Sequence, residues 1–185
     1  MKTLQLYFLL FGSALLLLSS QCKKSDKAPP LTELQKLPAI TQGGRNTFGC
    51  LINGKAFVPG GGSILGNTLS VQYDPTFQGG VLVIKAINYD NNNTVRLEVA
   101  ADSIRSTGTY PLLLHSKYGL LYHNRFNGCF AQTLTGPPNP ISGILNSTRL
   151  DTIARVYSGI FEFKVPATGC ADTITGTYGR FDLRF

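Results

Sequence analysis

From Asn46 onward the chain repeats one pattern: short runs in which apolar and polar residues alternate, separated by clusters of Gly, Asn, Asp and Pro. Alternation with period two places successive side chains on opposite faces of a strand, one buried and one wet. Thr47 to Ile52 and Lys55 to Val58 are strand-like and flank Asn53-Gly54, the strongest short-range hairpin signal, because both turn residues need positive φ. Thr68 to Tyr73 ends at the turn start Asp74-Pro75. Val81 to Tyr89 is apolar on both faces at first, as a central strand would be. Thr94 to Ala101 puts Val95, Leu97, Val99 and Ala101 on one face and Arg96 and Glu98 on the other. These last two runs, joined by Asp90-Asn91-Asn92-Asn93, predict an antiparallel hairpin.

Further along, Gly108 to Leu114 predicts an edge strand, since Pro111 cannot donate to a ladder. Leu120 to Gln132 holds one more strand around Cys129-Phe130, and Gly136-Pro137-Pro138-Asn139-Pro140 is a rigid loop. Ile141 to Leu150 and Arg155 to Val165 form a second long hairpin about Asp151-Thr152. In its second arm Tyr157, Phe161, Phe163 and Val165 share a face, with Glu162 and Lys164 on the other. Gly176 to Phe185 is the last strand, with Phe181, Leu183 and Phe185 one way and Arg180, Asp182 and Arg184 the other. No twelve-residue stretch of this region has a helical period. The expectation is an all-β, single antiparallel β-sandwich over 46–185, with a closed calycin-like β-barrel as the alternative.

The first part of the chain has a different pattern. Met1-Lys2 is followed by an almost wholly apolar run from Tyr7 to Leu18, then Ser19-Ser20-Gln21-Cys22-Lys23-Lys24. The run is shorter than the roughly 20 apolar residues of a membrane span and fits the core of a secretory signal. The sequence around Cys22 resembles a bacterial lipobox. That resemblance implies cleavage of residues 1–21, lipidation of Cys22, and a membrane-bound protein; two or three acyl chains anchor stably where one does not. Lys23 is not the Asp that retains lipoproteins at the inner membrane in the best-known sorting systems, which favours the outer membrane, with the periplasmic and surface faces both open. Residues 22–45 form the tether, in which Pro29-Pro30 and Pro38 exclude a continuous helix. Leu31, Leu34 and Leu37 leave two readings open there, a helical turn or two over Thr32 to Lys36, or an extended linker whose leucines dock on the domain.

Composition adds three points. Tryptophan is absent and Gly is abundant, in keeping with strands joined by tight turns. The net charge of +7 is partly concentrated in Lys23, Lys24 and Lys27, beside the anchor, where it suits an anionic lipid surface. The rest is scattered, without the clustered footprint of a nucleic-acid partner.

Asn46-Thr47-Phe48-Gly49-Cys50-Leu51-Ile52-Asn53-Gly54-Lys55-Ala56-Phe57-Val58-Pro59, Ser158-Gly159-Ile160-Phe161-Glu162-Phe163 and Gly179-Arg180-Phe181-Asp182-Leu183 resemble the opening and closing strands of a family of small uncharacterised lipoproteins from the Bacteroidota. The resemblance spans the whole domain and implies fold and location; that family has no assigned activity. Thr177-Tyr178 stands before Gly179 where Asp or Asn would be expected beside the glycine, a departure that bears on the turn.

With Cys22 acylated, Cys50, Cys129 and Cys170 remain. In an oxidising compartment three thiols allow one bridge and one leftover. Cys129 and Cys170 each follow a glycine near a strand or turn end, and are expected to pair; Cys50, in an apolar strand, reads as a small buried hydrophobe. Closing a loop of about 40 residues contributes roughly 3–4 kcal/mol. No CxxC spacing supports a metal site.

Catalytic signals are weak. His115 and His123 read as solvated loop residues, no Gly-x-Ser-x-Gly elbow marks a nucleophile, and Gly60-Gly61-Gly62 lacks the Gly-Lys-Ser/Thr of a phosphate loop and reads as a flexible loop. Arg180 with Asp182, like Arg96 with Glu98, reads as cross-strand charge pairing. Asp102-Ser103-Ile104, Asp151-Thr152-Ile153 and Asp172-Thr173-Ile174 match the short Asp-Ser/Thr-aliphatic acceptor of O-glycosylation in the same bacteria, making Ser103, Thr152 and Thr173 candidate sites; Asp-Thr is also common turn chemistry. No cofactor is expected. The leading functional expectation is a non-enzymatic envelope module binding a glycan, a peptide or another envelope protein. A small apolar-ligand carrier, should the sheet close into a barrel, and a hydrolase with an unmarked site are the alternatives.

Overall fold

The computed structural model describes residues 29–61, 67–90, 93–112, 121–124, 128–132, 142–170 and 173–185. The stretch expected to be an export signal, Cys22 and the basic residues after it, Gly62, Asn91-Asn92, Leu113-Leu114, His115, the Gly136–Pro140 loop and Asp172 lie outside them. The folded unit runs from Leu31 to Phe185.

It opens with a 3-10 turn at Leu34–Lys36. Thr32 and Gln35 are bonded across its start, the Thr32 N–H and hydroxyl donating to Gln35 Oε1 at 2.9 and 3.0 Å. Among the described residues eleven strands follow: β1 Thr47–Ile52, β2 Lys55–Phe57, β3 Leu69–Asp74, β4 Val81–Asp90, β5 Asn93–Ala101, β6 Gly108–Pro111, β7 Leu121–Asn124, β8 Cys129–Gln132, β9 Ser142–Asp151, β10 Val156–Pro166 and β11 Thr173–Arg184. They form a six-stranded sheet ordered β2-β1-β11-β10-β9-β6 and a five-stranded sheet ordered β3-β4-β5-β7-β8. Every ladder between strands is antiparallel. The architecture is a β-sandwich, and the closed barrel is not formed: among the described residues no ladder joins the edge strands of one sheet to the other.

Alternation explains the two layers. Leu82, Ile84 and Ala86 of β4 and Leu97, Val99 and Ala101 of β5 turn inward from one sheet. Phe48, Cys50, Tyr157, Phe161, Phe163, Phe181 and Leu183 turn inward from the other, and the two sets pack into one core. Asn53 and Gly54 hold φ of 47° and 80°, as the hairpin signal required. The β9–β10 turn is fixed by Asp151, whose carboxylate accepts from the N–H groups of Ile153 and Ala154 at 3.2 and 2.8 Å.

Several expectations change. Leu120–Gln132 forms two strands, β7 and β8, because the chain reverses between Asn124 and Cys129. His123 lies within β7, half-buried, its ring edge-on to Phe130 at 5.8 Å. Gly60 and Gly61 are not loose: Gly60 bridges Asn88, and a Cβ on Gly61 would lie 1.8 Å from the Tyr89 carbonyl oxygen. Arg96 pairs with Glu98 along one strand at 2.5 Å instead of across strands.

Asp182 departs furthest from its expected place. It points away from the core, as the alternation requires, yet is only 1% exposed, because the segment Leu37–Arg45 folds over that face. Its Oδ2 accepts from the Thr41 hydroxyl at 2.6 Å and the N–H groups of Gly43 and Arg45 at 2.9 and 3.1 Å. Its Oδ1 accepts from the Gly44 N–H at 2.6 Å and the Ser158 hydroxyl at 2.7 Å. Burial pushes the carboxyl's pKa up, but hydrogen bonds from Thr41, Ser158, Gly44 and Arg45 outweigh it and bring the pKa to about 2. The carbonyls of the same segment are taken by arginines: Arg184 donates to Gly43 and Gly44, Arg149 to Gln42, and Arg180 to Pro38 at 3.3 Å. Gly49 makes room for the segment, since a Cβ there would lie 2.8 Å from Pro38 Cδ.

Candidate functional site

Outside the core, the six-stranded sheet carries a groove of about 590 Å³ on its solvent face. Register sets its floor. Thr109, Asn146, Ile160 and Arg180 lie side by side across β6, β9, β10 and β11, and Ile144 of β9 faces Glu162 of β10 one step along. Ile40, from the docked segment, and Tyr178 complete the lining. The groove continues past Ile144, Glu162 and Thr177 into a second hollow of about 220 Å³ beside Lys164 and Thr175.

Tyr178 owes its position to a break in β11. Gly176 and Gly179 both face the core, where the rings of Phe163 and Phe161 lie against them; a Cβ at either site would come within 2.6 Å of the ring atoms. A regular strand leaves one residue between two inward positions that are successive on one face. Here Thr177 and Tyr178 are both present and both exposed, and the register shifts at this point against β1 and β10 alike. This is a β-bulge, a device that re-aims a side chain. Tyr178 adopts φ of 53°, the left-handed region that a bulky residue seldom enters and that costs about 1–3 kcal/mol. Its carbonyl accepts from Arg180 Nε at 3.1 Å, which ties the bulge to the guanidinium that also holds Pro38.

The site joins apolar surface to a sparse polar rim. Ile40, Ile144, Ile160 and Tyr178 are all large, hydrophobic and solvent-facing, Ile40 at 61% and Tyr178 at 60% exposure. Around them stand hydroxyls of Thr109 and Thr177, the Asn146 amide, the Glu162 carboxylate and the Arg180 guanidinium. Such a surface suits stacking and hydrogen bonding. Among the described residues no group of three or more His, Cys, Asp or Glu is placed to hold a metal ion.

The residues singled out from sequence lie elsewhere. Cys129 and Cys170 form the expected disulfide. It sits beside a bridge in which Phe130 and Thr168 exchange N–H···O=C bonds at 3.0 and 2.9 Å, joining β8 to the stretch after β10. Cys50 is buried and free, and burial pushes its thiol pKa far up. Ser103 is exposed after β5, but Ile104 beside it is fully buried. Thr152 is exposed at the β9–β10 turn next to Ile153, which is 96% exposed. Thr173 is half-buried at the start of β11. Sequence reasoning missed the groove, although it marked Thr177-Tyr178 as a departure. The available signal was a change of parity: the inward residues are even-numbered up to Gly176 and odd-numbered from Gly179. Compared with known proteins, the chain matches no family model, no curated protein and no solved structure.

Proposed function

We propose that the protein is a lipid-anchored, non-enzymatic binding module of the bacterial cell envelope, and that its ligand, a glycan, lies across the groove on the six-stranded sheet. The observation that carries this reading is Tyr178, a tyrosine held in a left-handed conformation by a double register shift and presented to solvent above an apolar floor. Backbone strain of this kind is retained where the surrounding fold over-determines it, and clusters at ligand sites. A sugar ring offers an apolar C–H face and a rim of hydroxyls. The groove offers a tyrosine ring and isoleucines, with Thr109, Asn146, Thr177, Glu162 and Arg180 around them. One carboxylate and one guanidinium leave no excess of either charge for a strongly ionic ligand.

The anchor and the envelope location rest on the Leu18–Cys22 stretch and its resemblance to a lipobox. Labelled palmitate should enter the wild-type protein and be absent from Cys22→Ala.

A second reading, an extended peptide in the same groove, is favoured by Ile40, Ile144 and Ile160, whose branched aliphatic surface suits apolar side chains. Glycan and peptide arrays probed with the wild type and Tyr178→Ala separate the two. The glycan reading expects oligosaccharide binding that weakens about tenfold or more in the variant, the loss of a hot-spot aromatic. Binding confined to peptides supports the second reading. Binding that ignores Tyr178→Ala removes the groove from both.

A further inference from the structure

The four edge strands of the two sheets are treated differently. An exposed edge presents unpaired N–H and C=O groups that invite another strand, and proteins blunt it with short strands, proline, lysine or covering segments. Strand β2 has three residues, carries Lys55, and its Ala56 N–H is taken by the Glu33 carboxylate at 2.7 Å. Strand β6 has four residues and ends in Pro111. Strand β8 also has four, and Phe130 already exchanges bonds with Thr168 on its outer side. Strand β3 has six residues, no proline, no lysine, and an unbroken register with β4 from Leu69↔Ala86 to Asp74↔Val81.

The hydrogen-bond phase of β3 follows from its start. Ile87 N–H donates to Thr68 C=O at 2.7 Å, so Thr68, Ser70, Gln72 and Asp74 are the residues that exchange bonds with β4. The N–H and C=O groups of Leu69, Val71 and Tyr73 therefore point outward, and none bonds to another described backbone group. Two grooves flank this edge from end to end. One of about 420 Å³ runs along Asn67–Val71 against Leu183 and Arg184. The other, about 530 Å³, runs along Val71–Pro75 against Arg155 and Phe185.

We propose that β3 is a dimerisation edge, and that its occupant is β3 of a second copy of this chain, paired antiparallel about a two-fold axis at Val71. Self-pairing fits the sequence of the strand. With Val71 opposite Val71, Leu69 faces the partner's Tyr73, and each of these outward-bonding residues meets another. Ser70 faces the partner's Gln72 on the solvent side, and Asp74 faces the partner's Thr68. No like charges meet, so the electrostatic penalty that guards most edges against self-association is missing here. Leu69, Val71 and Tyr73 keep their side chains packed against their own core, the Tyr73 hydroxyl donating to the Ile104 carbonyl at 2.8 Å, so the new ladder forms through backbone groups without repacking either subunit. The two-fold arrangement uses one patch on both subunits and closes without leaving a site for further growth.

The test uses the full chain expressed in cells, with two tagged forms, Ser70→Cys and Gln72→Cys. Opposed residues of a non-hydrogen-bonded pair have Cα atoms about 4.5 Å apart, within disulfide reach. Co-expression of the two forms should give a heterotypic disulfide dimer in several-fold excess over the dimer from either form alone. Adding Val71→Pro to both forms should remove it, since the outward N–H is lost while the β4 ladder is kept. Ser70→Lys/Gln72→Lys, compared with wild type by sedimentation in detergent, should shift dimer to monomer and guards against a folding defect in the proline variant. Absence of a cross-linked dimer, equal yields from all three expressions, or a monomeric wild type by sedimentation overturns the proposal.

Discussion

Replacing Asp182 by asparagine removes a buried negative charge held by five donors and keeps the shape of the side chain. The carboxyl titrates at 3.8 in the unfolded reference and at about 2 in the fold, a difference that contributes roughly 2–3 kcal/mol at neutral pH. Because the folded value is depressed, that contribution is complete above 3.8 and is lost as pH falls through 2. Asparagine must also place an NH₂ group at one of the two oxygen positions. At the Oδ1 position it meets the Gly44 N–H, while the Ser158 hydroxyl can turn to accept; at the Oδ2 position it meets two backbone donors, Gly43 and Arg45. The first choice leaves one buried amide unpaired, worth about 1–3 kcal/mol, and the remaining bonds lose their charge assistance. The expected cost of Asp182→Asn at pH 7 is about 3–4 kcal/mol. Urea unfolding followed by tyrosine fluorescence measures it. The gap between wild type and variant should narrow by about 1.5 kcal/mol between pH 6 and pH 2.5. A cost below about 1 kcal/mol, or a gap that does not change with pH, would refute the account of Asp182 as the anchor of Leu37–Arg45.

Four further outcomes follow from the same structure. Tyr178→Gly should leave urea stability unchanged or raise it by about 0.5–1 kcal/mol, since glycine takes φ of 53° without penalty, while groove binding falls. Gly49→Val should cost about 1–3 kcal/mol in the same assay and speed proteolysis after Leu37, because the new side chain collides with Pro38. Cys129→Ala/Cys170→Ala should lower stability by about 3–4 kcal/mol, the bridge spanning 41 residues. Cys50, buried with its thiol pKa raised, should resist iodoacetamide in the native protein and react once urea unfolds it.

Alternation along the chain carried most strands because β4, β5, β9 and β10 each bury one face against a single core, and that requirement is written residue by residue. It failed in two kinds of place. Strands β7 and β8 are only four residues long, too short for a period to declare itself against the turn between them. Asp182 kept the parity of a solvent position, and no local feature of β11 announces that a segment more than a hundred residues earlier will cover it.

The groove divides along the same line. Its parts were visible as single residues, Ile144, Ile160 and Glu162 on outward positions, and Thr177-Tyr178 as an unexpected pair before Gly179. The all-β character and the inward face of most strands are legible in the chain itself, because they depend on local period and on turn residues. Long-range packing settled the choice between two open sheets and a closed barrel, brought β6, β9, β10 and β11 side by side, and folded Leu37–Arg45 over the sheet. Those outcomes depend on strand order and on contacts between distant segments, and a one-dimensional pattern of hydrophobic and polar positions does not encode which strand lies beside which.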